Sequence, residues 1–112
     1  MIVNRATASA AELLAGALKD NHRAILVGMN TFHQGLIHEV QPLQDGSGLV
    51  IPIARFQTPA GTDVEDEGIS PYYVVESTET DPGRYTPPTD SQYKEAVRIL
   101  QQNIARLPIP KR

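Results

Sequence analysis

In the first third of the chain, two short apolar runs flank a stretch with helical spacing. Residues 1–3, Met-Ile-Val, read as the end of a buried strand. Ser9-Ala10-Ala11-Glu12 places a carboxylate three residues after a hydroxyl, the capping-box pattern that opens a helix. Ala11, Leu14, Ala15 and Leu18 then fall on one helical stripe, predicting an amphipathic helix over residues 10–19 that Asp20-Asn21-His22 ends. Residues 24–27, Ala-Ile-Leu-Val, predict a buried strand closed by Gly28. Strand, helix and strand in that order predict a β-α-β unit with parallel strands and the helix across one face. A chain that starts on a strand already in progress leads us to expect that the natural fold begins upstream.

After a turn at 30–35 the period changes from helical to alternating. Residues 36–41 predict a strand, with Gln34, Leu36, His38 and Val40 on one side if the segment is extended throughout. Asp45-Gly46-Ser47-Gly48 is a turn, so residues 49–54 should return as the second strand of a hairpin. Pro52 within that strand favours an edge position or a bulge. Residues 58–71 read as loop, and residues 72–75, Tyr-Tyr-Val-Val, as a last short strand. Residues 80–88 hold Pro82, Gly83, Pro87 and Pro88 and predict an exposed connector. Thr89 or Asp90 can cap a final helix with Tyr93, Ala96, Val97, Leu100 and Ile104 on one stripe, stopped by Pro108 and Pro110. The chain thus divides into residues 1–79 and a connector-plus-helix unit, 80–112. No internal repeat is present.

Composition narrows the function classes. With 112 residues, 40% hydrophobic and 21% charged, the chain is an ordinary globular domain or part of one. A net charge of -3 and a pI near 5.5 give no electrostatic footprint for nucleic acid. Cysteine is absent, which removes disulfides, thiolate metal sites and a thiol nucleophile. No apolar run approaches the roughly 20 residues of a membrane span, and the first residues lack the regions of a signal peptide. No membrane insertion is expected.

Taken one at a time, the polar candidates carry little chemistry. Ser9 at a helix start reads first as a cap, although exposed amides and the positive dipole end also favour a developing oxyanion there. His22, His33 and His38 are too scattered to form a metal motif. Residues 63–67, Asp-Val-Glu-Asp-Glu, lack the ligand order and placed glycine of a calcium loop and read as a solvated loop. No cofactor or metal is expected.

Taken together, the motifs say more. Asn4-Arg5-Ala6-Thr7-Ala8-Ser9-Ala10-Ala11-Glu12 and then Ala15-Gly16-Ala17-Leu18-Lys19-Asp20-Asn21 resemble the nucleophile segment of the C-terminal processing (tail-specific) serine proteases, the S41 type. The resemblance continues through Arg23-Ala24-Ile25-Leu26-Val27-Gly28, Thr31-Phe32, Gly35-Leu36-Ile37, Pro42-Leu43 and Asp45-Gly46-Ser47-Gly48. It runs on through Ala54-Arg55-Phe56, Thr58-Pro59-Ala60-Gly61 and Gly68-Ile69-Ser70-Pro71, covering residues 1–75 in register. It implies Ser9 as the nucleophile. The family's general base is a lysine in a Thr-Phe-Gly-Lys-Gly turn, and here the turn reads Thr31-Phe32-His33-Gln34-Gly35. Gln34 therefore stands in the lysine's place and His33 in that of the preceding glycine. His38 occupies the position of a glutamine that assists the lysine.

That departure has a direct chemical meaning. A Ser-Lys enzyme needs a desolvated lysine whose neutral amine takes the serine proton. A primary amide has no useful basicity near neutral pH, so Gln34 can orient Ser9 but not activate it. An imidazole has the right intrinsic pKa range for a base, but in an unbroken strand the His38 Cα lies about 13 Å from that of Gln34.

The expectations are these. The architecture is α/β, a crotonase/Clp-protease-like ββα core segment with a C-terminal helix, and incomplete. The resemblance implies a serine endopeptidase acting on protein C-terminal tails, impaired by Gln34. The alternatives are a non-catalytic pseudoprotease that binds peptides or assembles with other subunits, and a peptidase rewired to use His38 or His33. Partners would be peptide or protein tails, a second copy, or a missing upstream half. The resemblance places the protein in the bacterial periplasm, cell envelope or thylakoid lumen.

Overall fold

A computed structural model describes residues 1–77 and 89–104. The connector expected at 80–88, the boundary at 79/80 and the stop at Pro108 and Pro110 lie outside the described residues. Strand β1 (Ile2–Val3), helix α1 (Ala10–Asp20) and strand β2 (Val27–Gly28) form the expected β-α-β unit, with β1 and β2 parallel in the register Ile2↔Val27 and Val3↔Gly28. A later strand, β5 (Tyr73–Val74), adds to β2 in parallel, so the sheet order is β1-β2-β5. The second strand is shorter than its apolar run because only Val27 and Gly28 pair in the sheet. Ile25 lies ahead of them and accepts the N-terminal ammonium at its carbonyl, 2.8 Å away.

Between these strands runs an antiparallel hairpin, β3 (Leu36–Pro42) and β4 (Gly48–Arg55). Its register shifts between Ile37 and His38, where His38 comes to face Pro52. This is the bulge that the proline implied. Residues 58–71 are not all loop, because one helical turn, α2 (Val64–Glu67), forms within them. The Asp63 carboxylate caps it by accepting the Glu65 and Asp66 amides. Val64 is fully buried, so the acidic stretch is a capped turn anchored by its one apolar residue. Helix α3 (Ser91–Ile104) closes the described fold. Asp90 caps it by accepting the Tyr93 amide at 2.9 Å.

The core cluster comprises Val3, Ala15, Leu26, Val64 and Ile69, with Ala24 and Phe56 against it. Strand alternation sends Leu26 into this cluster and Val27 to the other face of the sheet. Helix α3 lies against β1 and β2. There Gln92 is buried and donates to the Val75 carbonyl at 2.9 Å.

Both helices bury faces different from those their apolar stripes predicted. In α1 the buried residues are Glu12, Ala15 and Gly16, while Leu14 is 56% exposed. In α3 Gln92 and Ile99 are buried and Leu100 faces out. The Ile104 side chain lies outside the described residues. In each helix a polar side chain with specific partners took a core position from a leucine. Exposed apolar surface is concentrated on the hairpin, where every strand residue but Leu36 is exposed.

Candidate active site

The turn after β2 packs against the start of α1, and one side chain makes the junction. Glu12 is fully buried, and its carboxylate accepts four hydrogen bonds. Oε2 accepts the Ser9 amide at 2.9 Å and the Gln34 amide at 2.8 Å. Oε1 accepts the His33 amide at 2.9 Å and the Thr31 hydroxyl. Because Ser9 and Gln34 share one oxygen, their nitrogens are no farther apart than the sum of those two bond lengths. Beside them Phe32 N–H donates to the Thr7 carbonyl at 2.9 Å, a second tie between turn and helix start.

The helix start itself is strained. Ser9 sits at the N-cap of α1 with φ 54° and ψ -123°, far from the extended backbone usual for a cap. A non-glycine residue in such a region costs about 1–3 kcal/mol and persists only where its surroundings over-determine it. Here the Glu12 carboxylate holding the Ser9 amide supplies that determination. It is the carboxylate half of the predicted capping box, put to a wider use.

A buried carboxylate must be compensated to stay charged. Burial pushes the Glu12 pKa up, but hydrogen bonds from the Thr31 hydroxyl and the Gln34, His33 and Ser9 amides outweigh it and leave the pKa lowered. Thr31, itself buried, also accepts the Ile69 amide at 2.8 Å, so the network reaches the segment after α2. Among the described residues no buried side-chain polar atom lacks a partner.

The structure places the four sequence-predicted residues differently. Ser9 and Gln34 meet at Glu12 through their backbones, and the Gln34 side chain is exposed. His33 has φ 70°, a left-handed conformation that glycine adopts most readily. Its ring lies over Gly68, where a Cβ would come within 2.5 Å of His33 Cδ2. Its Nε2 is 2.8 Å from Asn30 Nδ2, which also donates to the Glu67 carbonyl at 3.1 Å, so the ring is engaged with the end of α2. His38 is exposed on β3 opposite Pro52. Neither histidine is hydrogen-bonded to Ser9 among the described residues, and no group of three or more His, Asp or Glu residues is poised for a metal there.

Sequence reasoning missed the central role of Glu12, the bridge at Thr31 and a contact from Glu65 to Gly35. The capping box was the one available signal, and it announced the Glu12–Ser9 bond without its other three partners.

Comparison with known proteins is consistent with this geometry. Residues 1–75 match peptidase family S41. A carboxyl-terminal-processing protease of Synechocystis is 44% identical over 105 residues, covering 94% of this chain and 25% of that protein. The chloroplastic C-terminal processing peptidase of Tetradesmus obliquus is 55% identical over 71 residues, covering 63% of this chain and 15% of its own length. The chain thus spans at most about a quarter of the length of these two relatives. A solved photosystem II D1 C-terminal processing protease superposes with a TM-score of 0.60 at 53% identity, over 66% of this chain and 19% of that one. Mature CPAF complexed with lactacystin superposes over 94% of this chain and 20% of its own with a TM-score of 0.63, and at 17% identity it speaks for the fold alone. The α/β chain carrying the Ser9–Glu12–Gln34 junction belongs to peptidase family S41.

Proposed function

We propose that this chain is the nucleophile-bearing part of a C-terminal processing serine peptidase with a crotonase/Clp-like core, and that Gln34 leaves it impaired. The supporting observation is the Glu12 junction, which joins Ser9 to the turn where the family resemblance expects the base. In this reading Ser9 Oγ attacks the carbonyl carbon of a peptide bond, and its proton passes to a base at position 34. The Ser9 amide is taken by Glu12. The next amide, Ala10 N–H, sits in the first helical turn without an intrahelical partner and is left to face the oxyanion. An amide side chain at position 34 gives the proton nowhere to go, so the acyl-enzyme forms slowly. The substrates are protein C-terminal tails. The cyanobacterial and chloroplastic relatives support a thylakoid-lumen or bacterial-envelope setting.

One observation favours a second reading, a non-catalytic module that binds peptides or other subunits. The hairpin exposes Val40, Leu49, Val50 and Ile53, and such a surface serves contact as well as it would serve a larger enzyme. A fluorophosphonate probe separates the two. Labelling at Ser9, abolished by Ser9→Ala, supports the peptidase. No labelling even with Gln34→Lys, in the chain joined to the upstream half of the Synechocystis relative, supports the module.

A further inference from the structure

We infer that Glu65 is a positioning residue, which through Gly35 sets the direction in which the side chain at position 34 leaves its turn. The inference rests on the reading of position 34 as the place of the base. Three consecutive amides of the turn donate to carboxylates, but not to the same one. His33 and Gln34 N–H donate to Glu12 on α1. Gly35 N–H donates to Glu65 Oε2 on α2, at 2.8 Å. The peptide units on either side of residue 34 are thereby held by different elements. With both units fixed, φ and ψ of residue 34 are fixed too, and so is its Cα–Cβ direction. Only the side-chain torsions remain free.

Helix α2 is a firm support for this. Val64 is fully buried and donates its amide to the Phe56 carbonyl at 3.2 Å, while Phe56 N–H donates to the Gly35 carbonyl at 2.7 Å. Arg55, at the end of β4, bonds Asp63 at 2.8 Å and Asp66 at 3.1 Å. Residue 35 has to be glycine, because a Cβ there would stand 2.2 Å from Glu65 N and 2.8 Å from the Val64 carbonyl carbon. The backbone contact brings the turn against α2, and the Glu65 carboxylate orients its exit.

The test is amide hydrogen exchange on this chain, comparing Glu65 with Glu65→Ala and Glu65→Gln. Loss of a hydrogen bond to a charged acceptor should speed exchange at Gly35 roughly 10- to 100-fold in Glu65→Ala. Ser9, His33 and Gln34, held by Glu12, should change by less than about threefold, and Glu65→Gln should restore most of the Gly35 protection because its amide oxygen still accepts. A uniform loss at all four amides, or none at Gly35, overturns the inference. A second arm adds Gln34→Lys to each variant, in the chain joined to the upstream half of the Synechocystis relative, and follows fluorophosphonate labelling of Ser9. Glu65→Ala should lower the maximal labelling rate about tenfold while leaving the probe concentration for half-maximal rate unchanged, with Glu65→Gln recovering the rate. A change in half-saturation alone would overturn the positioning role. If no form labels, the peptidase reading has failed, and exchange at Gly35 alone decides whether Glu65 fixes residue 34.

Discussion

The junction around Glu12 and the β3–β4 hairpin are built on opposite terms. At the junction a buried charge gathers four donors from two elements, and every buried polar side chain described is satisfied. In the hairpin, fourteen of the fifteen strand residues are exposed, Val40, Val50 and Ile53 among them. A two-stranded ribbon is at best marginal alone in water. The junction therefore carries its own reasons for its shape, whereas the hairpin takes little support from the rest of the chain. Its ties are at the base, where Arg55 meets Asp63 and Asp66 and Phe56 meets Gly35. The geometry of the junction is held inside the chain by its own hydrogen bonds, and the apolar surface of the hairpin is left outside.

The comparison breaks most sharply at Glu12. Glu12→Ala leaves the Ser9, His33 and Gln34 amides and the Thr31 hydroxyl without their acceptor, and should cost roughly 3–5 kcal/mol in urea unfolding. Glu12→Gln, which keeps one accepting oxygen, should cost about half of that. A loss under 1 kcal/mol in Glu12→Ala would mean that the junction is held by packing rather than by its charge.

A smaller effect follows from pH. The Glu12 pKa is lowered in the fold from an ordinary 4.5, so its contribution is fully present above that value and is lost as pH falls through the folded value. Between neutral pH and the acid range the unmodified chain should therefore lose more stability than Glu12→Gln, measured as urea midpoints. Parallel losses in the two would contradict the account.

How much of this could be read from sequence depended on who the partners were. The β-α-β unit, the hairpin, its bulge at Pro52 and the position of Ser9 follow from local patterns, in which neighbouring residues carry the signal. The buried faces of α1 and α3 did not follow. Leu14 and Leu100 have apolar side chains, but Glu12 and Gln92 have partners distant in the chain, at Thr31 to Gln34 and at Val75. Periodicity counts apolar positions and cannot see a polar group that will be fully bonded. The turn at α2 was hidden for the same reason, since Val64 is one apolar residue among four acids.

The smallest expected effect sharpens the other side of the comparison. Val50→Thr on the hairpin should change the stability of the chain by less than about 0.5 kcal/mol, because the side chain is 59% exposed. It should nonetheless weaken binding of a hydrophobic dye and any self-association seen by sedimentation. A loss above about 1 kcal/mol in the monomer would show that the hairpin packs on its own chain after all.

The most direct measurement concerns Gln34 itself. With this chain joined to the upstream half of the Synechocystis relative, hydrolysis of an unstructured peptide is compared for Gln34 and Gln34→Lys, each with and without His38→Gln. Since general-base help is worth about 10²–10⁴-fold, lysine should raise the rate by that order, and the rate should climb toward alkaline pH as the amine loses its proton. Equal rates with glutamine and lysine, lost in both with His38→Gln, would contradict the account and place the base on the hairpin instead.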